Sequence, residues 1–421
     1  MYQQLIDWFV NVLRAPLAGL RGADPVLGLA LVVLAALVLA SALHRRLRLP
    51  RLLGYLLVGA IASPALLGLL QRTDIDPWKP LIDLAVAALV FELGTRLRPR
   101  WLVDNPWLAA CSALEAAAAG GAVWLALVAL GAPSPSAAAA AALAAATSPV
   151  ITMATFLEAR PRGQVAERLL MLSAINSALA ILAVKLWPVL AHTKGLSGPD
   201  PLALLANASI VIFGSLLLGL ACGVLIDRLG RLHDEPATMP VLQLALVILA
   251  ALLAIAWGLS PFIALLVAGM TARSRMRHRL MVQPYLGSAG AALTVMLFVS
   301  FGVLSTLQDW RALWPWVLAI VLARLIGKGI AIFATARPSG LSWRQATALT
   351  LALQPMSSLS VLLVADSFGW RTQLPGAEPA VIQALLIATT LMQLSGPLWT
   401  LWPLRRIVDE TGDDDDNPVE R

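Results

Sequence analysis

The stretch ATSPV, residues 146–150, interrupts a long apolar run and decides how the chain folds. Pro149 has no amide hydrogen to continue a helix and disfavours helical backbone at Ser148, so we expect a helix to break here. A second break is predicted at LQPMS, residues 353–357, where Pro355 follows Pro149 by 206 residues. Each break frees backbone groups that need hydrogen-bond partners. The polar residues beside the two breaks are Thr147, Ser148, Gln354, Ser357 and Ser358.

The composition predicts that these broken helices lie in a membrane. The 421 residues are 59% hydrophobic and 13% charged, with a mean hydropathy of +0.79, whereas soluble proteins have about 25% charged residues. At about 20 apolar residues per crossing, the chain divides into thirteen helical spans, which predicts an all-α polytopic membrane protein. The predicted spans cover residues 25–43, 51–70, 78–97, 106–130, 136–157, 167–190, 204–226, 239–257, 260–273, 288–307, 312–335, 342–366 and 379–404.

The net charge of +7 is divided unevenly between the two sides of the membrane. The connections predicted on one side, with the C-terminal tail, contain 21 of the 31 lysines and arginines, and the opposite loops with the N-terminus contain seven. The positive-inside rule then predicts an outside N-terminus and a cytoplasmic C-terminus in the cell (inner) membrane. Because the basic surplus is explained by this topology, we expect no nucleic-acid partner. Residues 1–24 are expected to form an amphipathic lead-in and residues 406–421 an acidic cytoplasmic tail.

The sequence contains no pattern typical of an enzyme. Both cysteines, Cys111 and Cys222, lie in apolar runs, and the four histidines lack metal-ligand spacing. IGKGI, residues 326–330, lacks the flanking residues of a phosphate-binding loop. We therefore expect no enzymatic activity, no metal and no cofactor.

The two breaks belong to an internal repeat. YLLVGAIA at 55–62 matches ALLVAGMTA at 264–272, and LVFELGTRL at 89–97 matches LFVSFGVLS at 297–305, with nearly the same offset as the breaks. The matching spans are seven apart, an odd number, so the two copies cross the membrane in opposite directions. Secondary transporters are commonly built from such inverted repeats, with their sites where broken helices meet. We therefore expect the polar residues beside the two breaks to contribute to a substrate site, and the alternative is two kinked helices whose hydroxyls bond back to carbonyls. The predicted transmembrane domain covers residues 25–405, with repeats at about 25–190 and 239–404 and a connector helix at 204–226.

Three stretches resemble motifs of the monovalent cation/proton antiporters, in the branch of bacterial sodium/proton and potassium/proton exchangers. They are RLRLPRLLGYLLVGAIASPALLGLL (46–70), FELGTRLRPRWL (91–102) and ATSPVITMATFLEARPRG (146–163). The resemblance implies a dimerisation scaffold, and hence a homodimer, beside a six-helix core in which the fifth and twelfth spans cross as broken helices. It also implies that a monovalent cation and protons are exchanged by alternating access.

The sequence departs from this family at the ion-binding position. The sixth span of the antiporters carries Asp-Asp or Asn-Asp, and the matching residues here are Asn176 and Ser177. Some members have Thr-Asp-Pro in the fifth span, where this chain has Thr147, Ser148 and Pro149. An amide and a hydroxyl offer oxygen ligands to a cation but do not exchange a proton. We expect these residues to contribute to an ion site, and the alternative is that they join helices through hydrogen bonds.

Four charged residues within the spans are candidates for titration and charge compensation. Glu92 and Glu115 are the deepest carboxylates, and at 1.5 Å per residue Glu115 lies about 15 Å into the fourth span. Arg324 and Lys328 share one face of the eleventh span. The repeat offset gives Glu115 and Arg324 similar depths, so we expect them either to pair with each other or to lie in a wet cavity. A pair would serve transport or lock the core. The family resemblance offers an alternative, in which Lys328 or Arg324 faces Asn176.

Three functions remain open from the sequence. The leading hypothesis is a secondary transporter that exchanges Na⁺ or K⁺ for protons, with Glu92 or Glu115 as its carboxylate. The second is an uncoupled or anion-carrying relative, because neutral Asn176 and Ser177 leave Arg324 and Lys328 without an acid on the sixth span. The third is a non-transporting membrane scaffold or sensor on the same fold.

Overall fold

The computed structural model describes residues 25–47, 49–64, 66–97, 104–192, 201–232, 238–275, 287–304, 310–356 and 378–409. Apart from turns and one isolated β-bridge, these residues are helical. The helices are α1 Pro25–Leu47, α2 Arg51–Ala62, α3 Arg72–Ile75 with a 3₁₀ turn at Asp76–Trp78, α4 Lys79–Arg96, α5 Pro106–Ala129, α6 Ser134–Ala144, α7 Pro149–Ala159, α8 Gln164–His192, α9 Pro201–Leu232, α10 Thr238–Ala256, α11 Pro261–Arg275, α12 Gly287–Val303, α13 Trp310–Ala336, α14 Trp343–Ala352, α15 Pro379–Leu394 and α16 Gly396–Arg406.

Each predicted span overlaps at least one of these helices. α9 extends six residues beyond the predicted end of the connector at residue 226, and two other spans differ more clearly from the prediction. The second span ends at Ala62 rather than at residue 70, because Ser63 is extended and is followed by Pro64. The thirteenth span divides at Ser395 into α15 and α16, which are bent by 44° relative to each other. The predicted lead-in at 1–24 and the tail residues 410–421 lie outside the described residues.

The distribution of buried and exposed side chains fits a lipid environment. Four described helices are long and apolar enough to cross a membrane, and the bent pair α15–α16 makes up to five. Phe213 and Leu217 on α9 are 64% and 66% exposed, whereas the charged Glu115 and Lys328 are fully buried. Soluble proteins bury large apolar side chains and expose charged ones, so exposed apolar side chains together with buried charges indicate a membrane protein.

The described residues up to Val86, with those between Leu286 and Asp309, form one compact unit. In this unit α2 packs against both α1 and α12. Gly59 of α2 lies so close to Gly302 and the Val299 carbonyl of α12 that a Cβ would overlap the partner backbone. The absence of side chains at this point lets the two helices approach closely.

The second unit contains the described residues from Ala87 to Tyr285 and from Trp310 onward. Its most extensive helix contacts are those of α5 with α13 and of α9 with α11. Gly94 of α4 meets Gly269 of α11 in the same manner as Gly59 meets Gly302 in the first unit. Gly94 and Gly302 occupy matching positions in the proposed repeat, and Gly269 lies one residue beyond the position that matches Gly59. Each unit therefore contains a glycine contact that joins one residue from each copy.

Candidate functional site

The two predicted breaks contact each other. α6 ends at Ala144 before α7 begins at Pro149, and α14 ends at Ala352. Thr147 and Met356 form an antiparallel bridge, and the Ser148 amide donates to the Pro355 carbonyl at 2.8 Å. We call residues 145–148 and 353–356 the crossing. The continuation of the twelfth span, including Ser357 and Ser358, lies outside the described residues.

Ser148 and Pro149 begin α7 as expected from their chemistry. The Ser148 hydroxyl accepts the Ile151 amide at 3.2 Å and so caps the new helix. Proline is suited to the first helical position, where an amide has no partner within the helix. Thr147 stabilises the other side of the crossing, because its hydroxyl donates to the Leu353 carbonyl at 3.0 Å. The sequence thus ends one helix and starts the next within four residues.

Arg324 of α13 is fully buried and joins both halves of the crossing. One guanidinium nitrogen donates to the Ala144 carbonyl and, at 3.2 Å, to the Ala146 carbonyl. The other donates to the carbonyls of Gln354 at 2.9 Å and Leu353 at 3.4 Å. These carbonyls lie at or just after the C-termini of α6 and α14, and each C-terminus carries about half a negative charge. Arg324 is therefore compensated by two helix ends.

Lys328, one turn farther along α13, pairs with Glu115 of α5, and both side chains are completely buried. The two helices approach so closely that a Cβ on residue 327 would overlap the backbone of Ala118, and Gly327, which has no Cβ, permits this contact. The Lys328 ammonium also donates to the Ala145 carbonyl at 3.2 Å and to the Thr147 hydroxyl at 3.1 Å. Lys328 thus links the carboxylate to the crossing.

Asn176 and Ser177 of α8 complete this group of polar residues. The Asn176 amide donates to the second carboxylate oxygen of Glu115, and its own oxygen accepts the Ser112 hydroxyl at 3.4 Å. The Ser177 hydroxyl donates to the Thr147 carbonyl at 2.9 Å. Ser112 was not predicted from the sequence, although its position one turn before Glu115 on the same helix was a usable signal. The polar side chains of Asn176 and Ser177 therefore both form hydrogen bonds with other residues of the site.

The expected pairing of Glu115 with Arg324 is wrong in its choice of base. Glu115 pairs with Lys328, and Arg324 binds backbone carbonyls instead. The planar guanidinium fork suits several carbonyls held in fixed directions, whereas the compact ammonium group suits a single carboxylate. Asn176 contacts Glu115 rather than either base. Asn176 and Ser177 of α8 provide no carboxylate, and Glu115 of α5 provides one beside Asn176.

Two other predicted residues contribute less than expected. Glu92 pairs with Arg96 on its own helix, with nitrogen–oxygen distances of 3.0 and 3.1 Å. Gln354 presents its backbone carbonyl to Arg324, but its side-chain amide donates back to the Thr350 carbonyl at 2.7 Å. Among the described residues, neither the Glu92 carboxylate nor the Gln354 amide contacts the Glu115–Lys328 pair.

Comparison with known proteins supports the same fold. A family model described as sodium/hydrogen exchanger, transmembrane, matches residues 32–405. The sodium proton antiporter MjNhaP1 from Methanocaldococcus jannaschii, in a structure at pH 8, has a TM-score of 0.69 and 17% identity, covering 92% of this chain and 99% of that chain. An electron-microscopy structure of the same antiporter has a TM-score of 0.69 and 18% identity, with coverages of 91% and 98%. No curated protein sequence matches this chain.

The family match includes both halves of the repeat and all described residues of the crossing. At 17% identity the structural similarity establishes the fold, and the family model establishes the membership. This multi-pass membrane protein therefore belongs to the transmembrane sodium/hydrogen exchanger family, whose members are transporters and not enzymes.

Proposed function

We propose that this protein exchanges a monovalent cation for protons, with Glu115 as the carboxylate that binds each in turn. The observation that supports this role is the surroundings of the Lys328 ammonium group. Its neighbours are a carboxylate oxygen of Glu115, the Ala145 carbonyl oxygen and the Thr147 hydroxyl oxygen. Carboxylate and carbonyl oxygens are the ligands that replace water around hard cations. The ammonium group therefore occupies an oxygen cluster that also suits an alkali cation.

The charge balance around this cluster links the cation to the proton. Glu115 offsets Lys328, and the two helix C-termini offset Arg324. A cation that joined this balanced group would add an uncompensated positive charge, which is costly inside a membrane. A proton bound by Glu115 adds the same positive charge, so the site accepts a proton or a cation but not both. Release of the proton frees the carboxylate for the cation, and the two thus compete for one group, as antiport requires.

The same contacts bear on the alternatives left by the sequence. Glu92 is the weaker candidate for the titrating group, because its partner is Arg96 on the same helix. An anion-carrying function loses support, because Arg324 and Lys328 are compensated by helix ends and by Glu115. A scaffold function predicts no ion flux at all, so a transport measurement separates it from antiport.

The proposal includes the orientation and assembly expected from the sequence. The distribution of lysine and arginine favours an outside N-terminus and a cytoplasmic C-terminus in the inner membrane. The homodimer is carried over from the family resemblance. Reporter fusions at the two termini test the orientation, and cross-linking in native membranes tests the dimer.

The decisive experiment measures exchange in proteoliposomes containing the purified protein. A pH gradient is imposed, Li⁺, Na⁺, K⁺ or Rb⁺ is added outside, and the internal pH is followed with a trapped dye. We expect at least one cation to dissipate the gradient in the wild type. Glu115→Gln should abolish this signal, because the amide that replaces the carboxylate cannot exchange a proton.

Glu92→Gln is the matched control, since it makes the same chemical change in another apolar helix. We expect this variant to retain cation-dependent exchange. Retention of exchange by folded Glu115→Gln would exclude Glu115 as the coupling group. Absence of exchange from the wild type with all four cations would favour the scaffold function.

A further inference from the structure

Two buried threonines of α7 differ from other threonines in the helices. Thr152 and Thr155 are fully buried, and their hydroxyls have no hydrogen-bond partner in the part of the chain that the structure describes. Elsewhere the hydroxyl donates to the backbone carbonyl four residues earlier, at 2.8–3.1 Å, and this is found for Thr335, Thr350, Thr389 and Thr400. The usual local bond is therefore missing at two neighbouring positions of one helix.

These two threonines continue a polar face that begins at the crossing. Ser148, Thr152 and Thr155 are spaced by four and three residues, which places them on one side of α7. The Ser148 hydroxyl is occupied by its cap to the Ile151 amide. The next two hydroxyls along the helix have no such role. We call Ser148, Thr152 and Thr155 the threonine face.

Gln393 at the end of α15 supplies a third buried group of this kind. Its side-chain nitrogen has no partner among the described residues, and the residue is 6% exposed. One turn earlier, the Thr389 hydroxyl lies 3.9 Å from the sulfur of Met356 in the crossing. One turn later, Gly396 packs against Ile151 in the first turn of α7. Gln393 thus lies between two contacts that connect its helix to the crossing and to α7.

Buried polar groups without partners cost free energy, so they call for a state in which they are satisfied. Water satisfies hydroxyls and amides when the helices that cover them separate. We propose that the threonine face and Gln393 line the route by which water and the transported cation reach the crossing, closed here and open in another state of the cycle. This inference rests on the proposed function. Hydroxyl oxygens along the route replace water ligands of the cation on its way to Thr147 and Glu115.

Cysteine accessibility tests this route independently of transport. Single cysteines replace Thr152, Thr155 or, as the control, Ala154, in a Cys111→Ala/Cys222→Ala background. Ala154 is on the same helix and only 3% exposed, but it is not part of the threonine face. The protein in proteoliposomes is treated with a small cationic methanethiosulfonate reagent, with and without saturating Na⁺ or K⁺.

We expect Thr152→Cys and Thr155→Cys to react about tenfold or more faster than Ala154→Cys, because thiol reactivity requires access to water. The exchanged cation should slow the reaction at both positions. Equal rates at all three positions, or no reaction at any, would overturn the route. Because labelling requires no ion flux, either result leaves the antiport proposal to the exchange assay.

Removing the hydroxyls provides a second measurement. Thr152→Val and Thr155→Val keep the side-chain shape and lose no hydrogen bond to a described residue, so we expect unchanged thermal stability but a several-fold lower exchange rate. Thr335→Val is the matched control, because it loses a bond to the Ala331 carbonyl and should lower stability without slowing exchange. Unchanged exchange in both α7 variants would contradict the route.

Discussion

Glu92 pairs with Arg96 one turn along the same helix, whereas Glu115 pairs with Lys328, 213 residues away in the sequence. The side chain of Arg96 is 33% exposed, but those of Glu115 and Lys328 are completely buried. The protein therefore leaves the first pair partly open at Arg96 and encloses the second pair completely. A partly exposed pair contributes little to stability, whereas a buried pair constrains the structure strongly once its partners are in place.

The two pairs also differ in what surrounds them. The Glu92 carboxylate is held by a neighbouring turn of its own helix. The Glu115 carboxylate is held by α8 and α13, and Lys328 connects it to the crossing. A proton or cation that changes the charge of Glu115 therefore acts on several helices at once. This difference makes the buried pair suitable for coupling ion binding to a conformational change.

The largest effect is expected from breaking the buried pair. Glu115→Gln leaves the Lys328 ammonium group buried without a counter-charge, and loss of one partner of such a pair costs about 3–5 kcal/mol. Thermal unfolding of the purified protein in detergent measures this loss. The variant Glu115→Gln/Lys328→Gln should recover much of the stability, since neither charge remains. Additive losses in the double variant would contradict the pairing.

The next effect is expected from moving the acid back to the sixth span. Asn176 donates to Glu115, so Glu115→Gln/Asn176→Asp places a carboxylate one hydrogen bond from the original position. We expect this variant to restore pairing with Lys328 in part and to regain cation-dependent exchange. Asn176→Asp alone should be destabilising, because two carboxylates are then in contact. A relocated acid that restores neither stability nor exchange would indicate that Glu115 acts through its exact position.

A smaller loss is expected at the compensated arginine. Arg324→Lys retains the charge, but an ammonium group has no planar fork to reach carbonyls on both sides of the crossing. Loss of these bonds should destabilise the protein by about 1–3 kcal/mol. Arg324→Gln, which also removes the charge, should be less stable still. Equal melting temperatures for Arg324→Lys and the wild type would show that the crossing does not depend on this clamp.

The smallest effect is expected at the partly exposed pair. Glu92→Gln should change the free energy of unfolding by no more than about 1 kcal/mol, because Arg96 is partly exposed at the end of its helix and is not left as a buried, unpaired charge. High salt should reduce even this difference. A loss comparable to that of Glu115→Gln would mean that the two pairs are energetically equivalent, and the comparison between them would fail.

Several elements were predictable because they depend on local chemistry. Pro149 and Pro355 marked the breaks, and the break predicted at Pro149 is where α7 begins. The division of the thirteenth span at Ser395 was missed, although Gly396 and Pro397 follow it directly. The early end of α2 was also missed, because the apolar run continues past Pro64 and hides the turn.

The candidate site was predictable in its members but not in its pairings. Glu115, Arg324, Lys328 and Asn176 were all recognised as costly residues in apolar helices. Depth along a helix does not specify which face meets which neighbour, so the sequence paired Glu115 with Arg324 instead of Lys328. The packing of α5 against α13, which approach closely at Gly327 beside Lys328, accompanies the pairing that is observed.

The sequence by itself determined the membrane environment, the two breaks and the absence of an acid from Asn176 and Ser177, because apolar length, proline chemistry and side-chain identity are properties of single segments. Only the tertiary structure decided that α5 supplies the acid, that Arg324 joins the two helix ends, and that Thr152 and Thr155 have no hydrogen-bond partner among the described residues. These features depend on side chains separated by up to 213 residues. Their geometry is set by helix packing, which no local pattern encodes.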